Sequence, residues 1–375
     1  MNIVYISKSR IPSREANSVH VMKMCSALAH KGHQVVLLCR KGEAEVDDHS
    51  CYGVADSFQI RKLAWPGLNR SGFLFSFLVG MFLRKMPKGT MIYGREIYGM
   101  SSAISMGFKC VFEVHSPPRS FLRKKMQERL FRKSNFVRLV SITQSLKNEY
   151  LRLFPVLSES NVIVAADGAD IPESQGQHGS YTDIIGVKSE RTQVGYVGSL
   201  YAGRGIDVIL KLAAIMSDID FHIVGGKEED IQFWKNQAQS ENVRIHGFVP
   251  NRDLCRYYQS FDLVLAPYQR RISLSGGKGD SARWTSPLKI FEYMAYEKPM
   301  IVSNLPVIKE VLEDGVNAIL CEPDDIGCWR KSILRLRDDR ALRVKMVDRA
   351  FQILKERYTW DKRVDLILRD IVKGK

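Results

Sequence analysis

No stretch of the 375 residues reaches the roughly 20 consecutive apolar positions that a bilayer-spanning helix needs. The longest run, Phe73 to Leu83, is interrupted by Ser76 and Gly80. The first residues, Met1-Asn2-Ile3-Val4-Tyr5-Ile6, have neither a charged leader nor a small-residue cleavage site after them, so they are read as a strand and not as a signal peptide. Cysteine is sparse. Seven residues, at 25, 39, 51, 110, 255, 321 and 328, form no Cys-x-x-Cys pair, which excludes a zinc ribbon and argues for reduced thiols in a cytoplasm over a disulfide framework. The first βα turn, Ser7-Lys8-Ser9-Arg10-Ile11-Pro12, lacks Gly-x-Gly-x-x-Gly, so an oxidoreductase using a dinucleotide is disfavoured. Gly-x-Ser-x-Gly is also missing, and with it the nucleophile elbow of a hydrolase. The eight histidines show no metal-ligand spacing, so neither a structural nor a catalytic metal is expected, and no cofactor.

What is present is a soluble composition, 45% hydrophobic and 26% charged, with length enough for two domains. The formal net charge of +15 is uneven: residues 1–175 carry 25 Lys and Arg against 14 Asp and Glu. Much of that excess lies in Arg119, Arg123, Lys124, Lys125, Arg129, Arg132, Lys133 and Arg138, interleaved with Phe121, Leu122, Met126, Leu130 and Phe131. Helical spacing of the apolar positions predicts a basic amphipathic helix over 118–133. Docking on an anionic membrane surface or a phosphorylated lipid is one reading, and a solvated helix covering a sheet is the other. No recognised nucleic-acid-binding pattern accompanies the charge.

Short β-branched runs alternate with amphipathic helices along both halves, which predicts α/β architecture with parallel sheets. Strands are expected near 2–6, 34–39, 57–62, 90–94, 109–114, 137–142 and 161–165, with helices near 17–31, 72–86, 96–106, 118–133 and 143–152. The polar, glycine-bearing stretch 171–191 reads as a linker. A second series follows, with strands near 192–197, 219–224, 242–246, 262–266, 299–302 and 316–320 and helices near 204–216, 227–239, 250–260, 286–296, 306–313, 324–337, 339–354 and 359–373. The expected organisation is a domain over 1–170, a second over 192–355, and a C-terminal helix, 356–375, crossing back to the first. Two doubly wound Rossmann-like domains facing across a cleft would bind ligands outside the carboxyl ends of their strands.

The most informative segment is 285–297, Thr-Ser-Pro-Leu-Lys-Ile-Phe-Glu-Tyr-Met-Ala-Tyr-Glu. Its turn, ending in Ser286 and Pro287, opens a helix whose amino end offers N–H groups and partial positive charge to a phosphate. Leu288 and Lys289 lie in the first turn. Glu292, three residues beyond Lys289, shares its face and can accept hydrogen bonds from sugar hydroxyls. Val197-Gly198-Ser199-Leu200-Tyr201-Ala202-Gly203-Arg204-Gly205 follows a strand, and Arg204 offers a fork to phosphate oxygens. His115 ends a buried strand beside Pro117-Pro118. Asn17 or Ser18 is expected to cap the first helix, with acceptor contact the less favoured role. Ser275-Gly276-Gly277-Lys278-Gly279-Asp280 lacks phosphate-loop spacing and reads as a loop beside the site, and Asp218-Ile219-Asp220 reads as the start of a strand.

Taken together, these motifs resemble the retaining glycosyltransferases of family 4, which have the two-domain GT-B fold. The likeness runs through Gly32-His33, His115, Asp167-Gly168-Ala169-Asp170, Gly198-Ser199-Leu200 with Arg204-Gly205, Val243 to Pro250, Asp262 to Pro267, and 285–297. The resemblance implies transfer of a sugar from a nucleoside diphosphate sugar, with Glu292 on the ribose and Gly198, Ser199, Arg204, Ser286, Pro287, Leu288 and Lys289 around the donor. Two departures stand out. Trp284 occupies the place of the family's first glutamate, and Ser199 that of its arginine, so Lys289 is expected to supply the missing charge. His115, Arg204 and Lys289 are the expected catalytic residues. Asn17, Ser18, Arg119, Arg123, Lys124 and Lys125 are the expected acceptor or membrane side. The expected acceptor is a glycan or polyprenyl-linked chain, met by a cytoplasmic protein peripheral on the inner face of the cytoplasmic membrane; no nucleic acid is expected. A non-catalytic sugar-nucleotide-binding subunit, a GT-B epimerase and a hydrolase or phosphatase remain as alternatives.

Overall fold

The computed structural model describes residues 1–42, 47–63, 72–172, 190–273 and 280–371. The expected linker and the loop 275–279 lie largely or wholly outside the described residues. The chain forms two compact units, Met1–Asp167 with Trp360–Lys375, and Gly168–Thr359. The change of unit thus falls at Trp360, after a π-helical turn, Leu354–Tyr358.

The first unit holds a parallel sheet in the order β3-β2-β1-β4-β5-β6-β7, from β1 (Asn2–Ile11), β2 (Gln34–Lys41), β3 (Gln59–Leu63), β4 (Met91–Gly94), β5 (Lys109–Val114), β6 (Phe136–Ser141) and β7 (Val162–Val164). Its helices are α1 (Ala16–His30), α2 (Gly72–Leu83), α3 (Ile97–Ser105), α4 (Phe121–Phe131) and α5 (Gln144–Leu153). The strand β1 runs past the expected end at residue 6: after an irregularity, Arg10 and Ile11 pair with Arg40 and Lys41, so the segment read as a βα turn is extended backbone. The helix α1 is not capped by Asn17 or Ser18. Glu15 occupies the cap position without a side-chain bond, and Ser18, in the first turn, spends its hydroxyl on the Glu15 carbonyl at 2.7 Å.

Right-handed crossovers send α1 to one face of this sheet and α2, α3 and α4 to the other, where α3 packs against both neighbours. The helix α12 (Trp360–Leu368) joins α1. Its Arg363 is buried and bonds the carbonyls of Ala165 and Ala166 at 3.1 and 2.9 Å and the Glu113 carboxylate at 3.0 Å.

The second unit repeats the plan with order β10-β9-β8-β11-β12-β13, all parallel, from β8 (Thr192–Val197), β9 (Ile219–Val224), β10 (Val243–Gly247), β11 (Leu263–Ala266), β12 (Met300–Ser303) and β13 (Ile319–Cys321). Helices α6 (Ile206–Ile215), α7 (Glu228–Gln237), α8 (Leu254–Ser260), α9 (Leu288–Ala295), α10 (Ile326–Asp338) and α11 (Arg340–Ile353) surround it. The helix expected over 306–313 is a run of turns, closed by bonds such as Ile308 N–H to Leu305 O and Val311 N–H to Ile308 O. Asp220 is buried within β9, where Gln193 donates to its carboxylate at 3.0 Å. All seven cysteines are free thiols, and the sulfurs of Cys321 and Cys328 approach to 2.7 Å.

Two outcomes test this packing. Replacing Arg363 by Ala leaves Glu113 buried without its main counter-charge, which should cost about 3–5 kcal/mol in the unfolding of the full chain by urea. A loss below 1 kcal/mol would mean that α12 is not held by this pair. Acid should also destabilise the second unit. His222 bonds His246 ring to ring at 3.0 Å, and burial followed by neighbouring positive charge lowers their pKa to about 3 and about 4. Below the ordinary value near 6.5, the unfolded chain therefore binds protons that the folded chain refuses, and stability falls as pH drops from about 6.5 to about 4. A urea midpoint that stays flat over that range would contradict the neutral pair.

Candidate functional site

In the second unit, the residues singled out from sequence gather at the carboxyl edge of the sheet. The strand β8 ends at Val197 and gives way to Gly198, whose φ of +146° is open to glycine. Glycine is also required for space: a Cβ there would sit 2.8 Å from Lys289 Nζ. The loop continues through Ser199, whose carbonyl accepts the Tyr196 hydroxyl at 2.6 Å, and reaches Arg204 just before α6.

The helix α9 begins at Leu288 with Pro287 as its extended cap, one position later than a proline inside the first turn would place it. Tyr293 fixes this helix against the sheet. Its hydroxyl donates to Leu265 O at 3.0 Å and accepts the Val197 N–H at 3.2 Å, tying α9 to the ends of β11 and β8.

That anchoring buries Lys289, which is 7% exposed. Its Nζ stands 3.5 Å from the centroid of the Tyr196 ring and 5.1 Å from that of Tyr268, with no hydrogen-bond partner among the described residues. Burial first, and then the Arg204 charge, push the Lys289 pKa well below the ordinary lysine value, with Glu292 opposing. Arg204 lies on the same aromatic cluster, its guanidinium 4.5 Å from the Tyr201 ring centroid and 5.3 Å from that of Tyr268. It donates to the Tyr201 hydroxyl, while its Nε has no bond among the described residues. Two cations thus sit against Tyr268 beside a helix amino end, without a buried carboxylate in hydrogen-bond contact with Lys289. An anion with several oxygens is the ligand such a seat can take.

Glu292 is half-buried and already held: the Tyr258 hydroxyl donates to it at 2.7 Å and the Asn251 amide at 3.4 Å. Ser286 and Leu288 are half-buried at the start of α9. Trp284 stacks under the Arg283 guanidinium at 5.0 Å. The tyrosines 196, 201, 268 and 258 escaped the sequence reading. Each sits in a different element, and only the ends of β8 and β11 hinted at their convergence.

In the first unit, His115 follows β5 and bonds Glu113 Oε1 at 2.5 Å. The same carboxylate lies 2.8 Å from His20 Nε2, 3.0 Å from Arg363 and 3.9 Å from Arg95, and it also accepts the Tyr93 hydroxyl. His20 Nδ1 meets Asp167 at 2.8 Å. Against the cost of burial, Arg363 and His20 hold Glu113 well below the usual carboxylate range. Burial and Arg95 lower His115 to about 4, so its imidazole is neutral at ordinary pH, and its side chain keeps 24% exposure. His20, Glu113 and His115 bring three ligand atoms within 4.8 Å of one another, a geometry able to hold a cation that the spacing of these residues did not announce. Arg363 and Arg95 already supply positive charge there and oppose a divalent ion.

Asn17 is exposed at the start of α1, whereas Ser18 is fully buried, with its hydroxyl turned to the Ser13 and Glu15 carbonyls. The helix α4 is shorter than expected and is capped by Ser120, whose oxygen accepts the Arg123 N–H at 3.3 Å. Its expected apolar stripe divides: Leu130 and Phe131 are buried, but Phe121 is 74% and Leu122 48% exposed. Arg119, Arg123 and Lys125 are exposed around them, and Lys124 is half-buried.

Comparison with known proteins places this arrangement. A Haemophilus influenzae protein described as a glycosyltransferase is 26% identical over 185 residues, 48% of each chain. A 41.2 kDa protein of Klebsiella pneumoniae from a cps region is 27% identical over 142 residues, 37% of this chain and 35% of its own. The chain spans about half the length, or less, of these curated relatives. In structure, it is similar to HepE of Anabaena, solved in complex with UDP, with a TM-score of 0.74 at 14% identity over 99% of this chain and 100% of that one. That likeness bears out the GT-B fold of two Rossmann-like domains. Residues 191–339, most of the second unit, match the family Glycosyl transferases group 1.

Proposed function

We propose that this protein is a retaining glycosyltransferase that moves a sugar from a nucleoside diphosphate sugar to a hydroxyl of a glycan or polyprenyl-linked acceptor. We assign it to cell-envelope polysaccharide synthesis, working peripherally at the inner face of the cytoplasmic membrane. The observation that carries this reading is the pair of cations, Arg204 and Lys289, set on Tyr268 at the amino end of α9, with Lys289 Nζ unpartnered among the described residues. In it, the diphosphate takes up both charges and the N–H groups of the first turn of α9, and the charge that grows on the leaving group is stabilised there. Glu292, held by Tyr258 and Asn251, orients the ribose. His115, neutral and braced by Glu113, handles the acceptor. No metal and no covalent glycosyl–enzyme are assigned. Support for the polysaccharide context comes from the Klebsiella pneumoniae relative of a cps region. Exposed Arg119, Arg123 and Lys125 beside Phe121 support the membrane partner. Trp284, in place of an acidic residue, favours one second reading, a subunit that binds the sugar nucleotide without transferring it.

The direct test offers a panel of nucleotide sugars with membrane-extract acceptors and follows release of nucleoside diphosphate. Acceptor-dependent release supports transfer. Release without acceptor indicates a hydrolase, and binding of the donor with no release from any pair supports the non-catalytic subunit. Lys289 gives a sharper outcome. Lys289→Ala should weaken binding of UDP or the preferred nucleoside diphosphate by about 1.5–3 kcal/mol, whereas Lys211→Ala, exposed on α6, should change it little. The groups facing Lys289 are Arg204, Glu292, Tyr196 and Tyr268. Its pKa is depressed in the free protein and rises once the diphosphate pairs with it, so binding takes up a proton and affinity falls as pH rises into the alkaline range. Calorimetry in buffers of different ionisation enthalpy measures this. Equal affinity and equal proton uptake in wild type and Lys289→Ala would remove Lys289 from the site.

A further inference from the structure

The helix α2, Gly-Phe-Leu-Phe-Ser-Phe-Leu-Val-Gly-Met-Phe-Leu, carries no charge and no strongly polar side chain, yet only part of it is covered. Phe75, Val79 and Leu83 form its buried face, and Ser76 donates to the Tyr98 carbonyl at 2.8 Å. Opposite, Phe73 is 60%, Phe77 60% and Met81 48% exposed, with Leu74 beside them at 38%. Residues 73, 77 and 81 are spaced four apart, so they line a single stripe along the helix. A helix apolar all round belongs in a core, and one whose large apolar side chains face outward in a row marks a contact surface.

Charge identifies the partner. Exposed Arg84 and Lys85 follow the stripe directly, and α4, on the same face of the sheet beyond α3, presents exposed Phe121 and Leu122 among Arg119, Arg123 and Lys125. The sole acidic residue of α4, Glu128, is engaged by Arg132. Two copies of such a face would repel one another, whereas an anionic bilayer satisfies both its apolar and its basic parts. Twelve residues extend about 18 Å, too short to cross a bilayer, and among the described residues no helix is long and apolar enough to do so. The remaining geometry is a helix lying in the interface with one face in the acyl boundary.

We propose that α2 is a membrane-interface element: Phe73, Phe77 and Met81 enter the surface of an anionic bilayer, while Arg84, Lys85 and the basic residues of α4 engage its headgroups. This deepens the membrane partner of the function proposed above, and it moves the principal anchor from the basic helix to an apolar one.

The test uses the full chain and vesicles of phosphatidylcholine with or without phosphatidylglycerol, read by co-sedimentation at low and high salt. The variant Phe77→Ser/Met81→Ser spares Phe73, whose ring contacts Tyr98 at 5.3 Å. It should lose roughly tenfold or more in partitioning onto the anionic vesicles, with its thermal unfolding unchanged. Wild-type binding should weaken in high salt but persist. Binding that vanishes in salt and ignores the double substitution would leave only the basic helix as anchor and overturn the proposal. Self-association abolished by the same substitutions, without vesicle binding, would overturn it in favour of a second copy of this chain. Binding of UDP, GDP, ADP and CMP, measured on the same samples, keeps the two proposals apart: absence of binding to all of them would sink the donor reading and leave the vesicle result standing.

Discussion

An ammonium group removed from water without a hydrogen bond among the described residues is the constraint around which the candidate site of the second unit is arranged. Desolvation of a lysine costs several kcal/mol unless charge or dipoles replace the lost water. For Lys289 the replacement is incomplete: the face of Tyr196 at 3.5 Å offers a cation–π contact, but Arg204 adds repulsion. The fold imposes this position through Tyr293, which pins α9 to the ends of two strands, and through Gly198, whose missing Cβ leaves room for the ammonium. Local rules broken without an internal compensation are the mark of a site finished by something outside the chain.

The first unit handles buried charge in the opposite way. Glu113 is fully buried, yet Arg363, His20, His115 and Tyr93 surround it, and Asp167 completes the account on the far side of His20. Arg363 and Arg95 supply the positive charge in that network. Its effect is mechanical: it joins the end of β5, the helix α1 and the C-terminal helix through one carboxylate, so removing Arg363 threatens three elements at once. His115 is the partly exposed edge of the cluster, and its low pKa follows first from burial and then from the Arg95 charge, against the opposing pull of Glu113.

Much of the fold was legible because the alternation of short β-branched runs with amphipathic helices is a local signal. The failures were local as well. Residues 306–313 carry the apolar spacing of a helix, but their bonds close as separate turns. The segment Ser7 to Ile11 looked like a loop for want of apolar residues, yet pairing with β2 supplies what composition did not. Of the candidate site, the 285–297 segment is legible as a unit because Lys289 and Glu292 lie one turn apart on one short helix, Leu288–Ala295. The tyrosine cluster, by contrast, joins residues 196, 201 and 268, and the Glu113 network joins residues 20, 113, 167 and 363; neither has a spacing that a linear pattern can register. The α4 stripe misled for a further reason: helical periodicity says which residues share a face, not whether anything covers that face.

The two units differ in how they compensate buried charge, and that difference bears on the proposed function. A carboxylate with all its partners gains little from a ligand, and a ligand gains little from it. The second unit instead holds a lysine whose proton is easily lost and an arginine with an uncommitted Nε, both on one tyrosine. Under the proposed function, a polyanion bound beside Lys289 offsets part of the cost of burying its ammonium, and the affinity would contain that energy as well as the new contacts. The same coupling sets a direction for catalysis. A cation whose charge is restored by negative charge nearby responds most strongly when that charge is greatest, which in cleavage of a sugar–phosphate bond is at the transition state and after it, not before. Under the function proposed above, Lys289 would assist departure of the diphosphate more than binding of the intact donor, and its substitution should then lower turnover beyond what the loss of donor affinity alone explains.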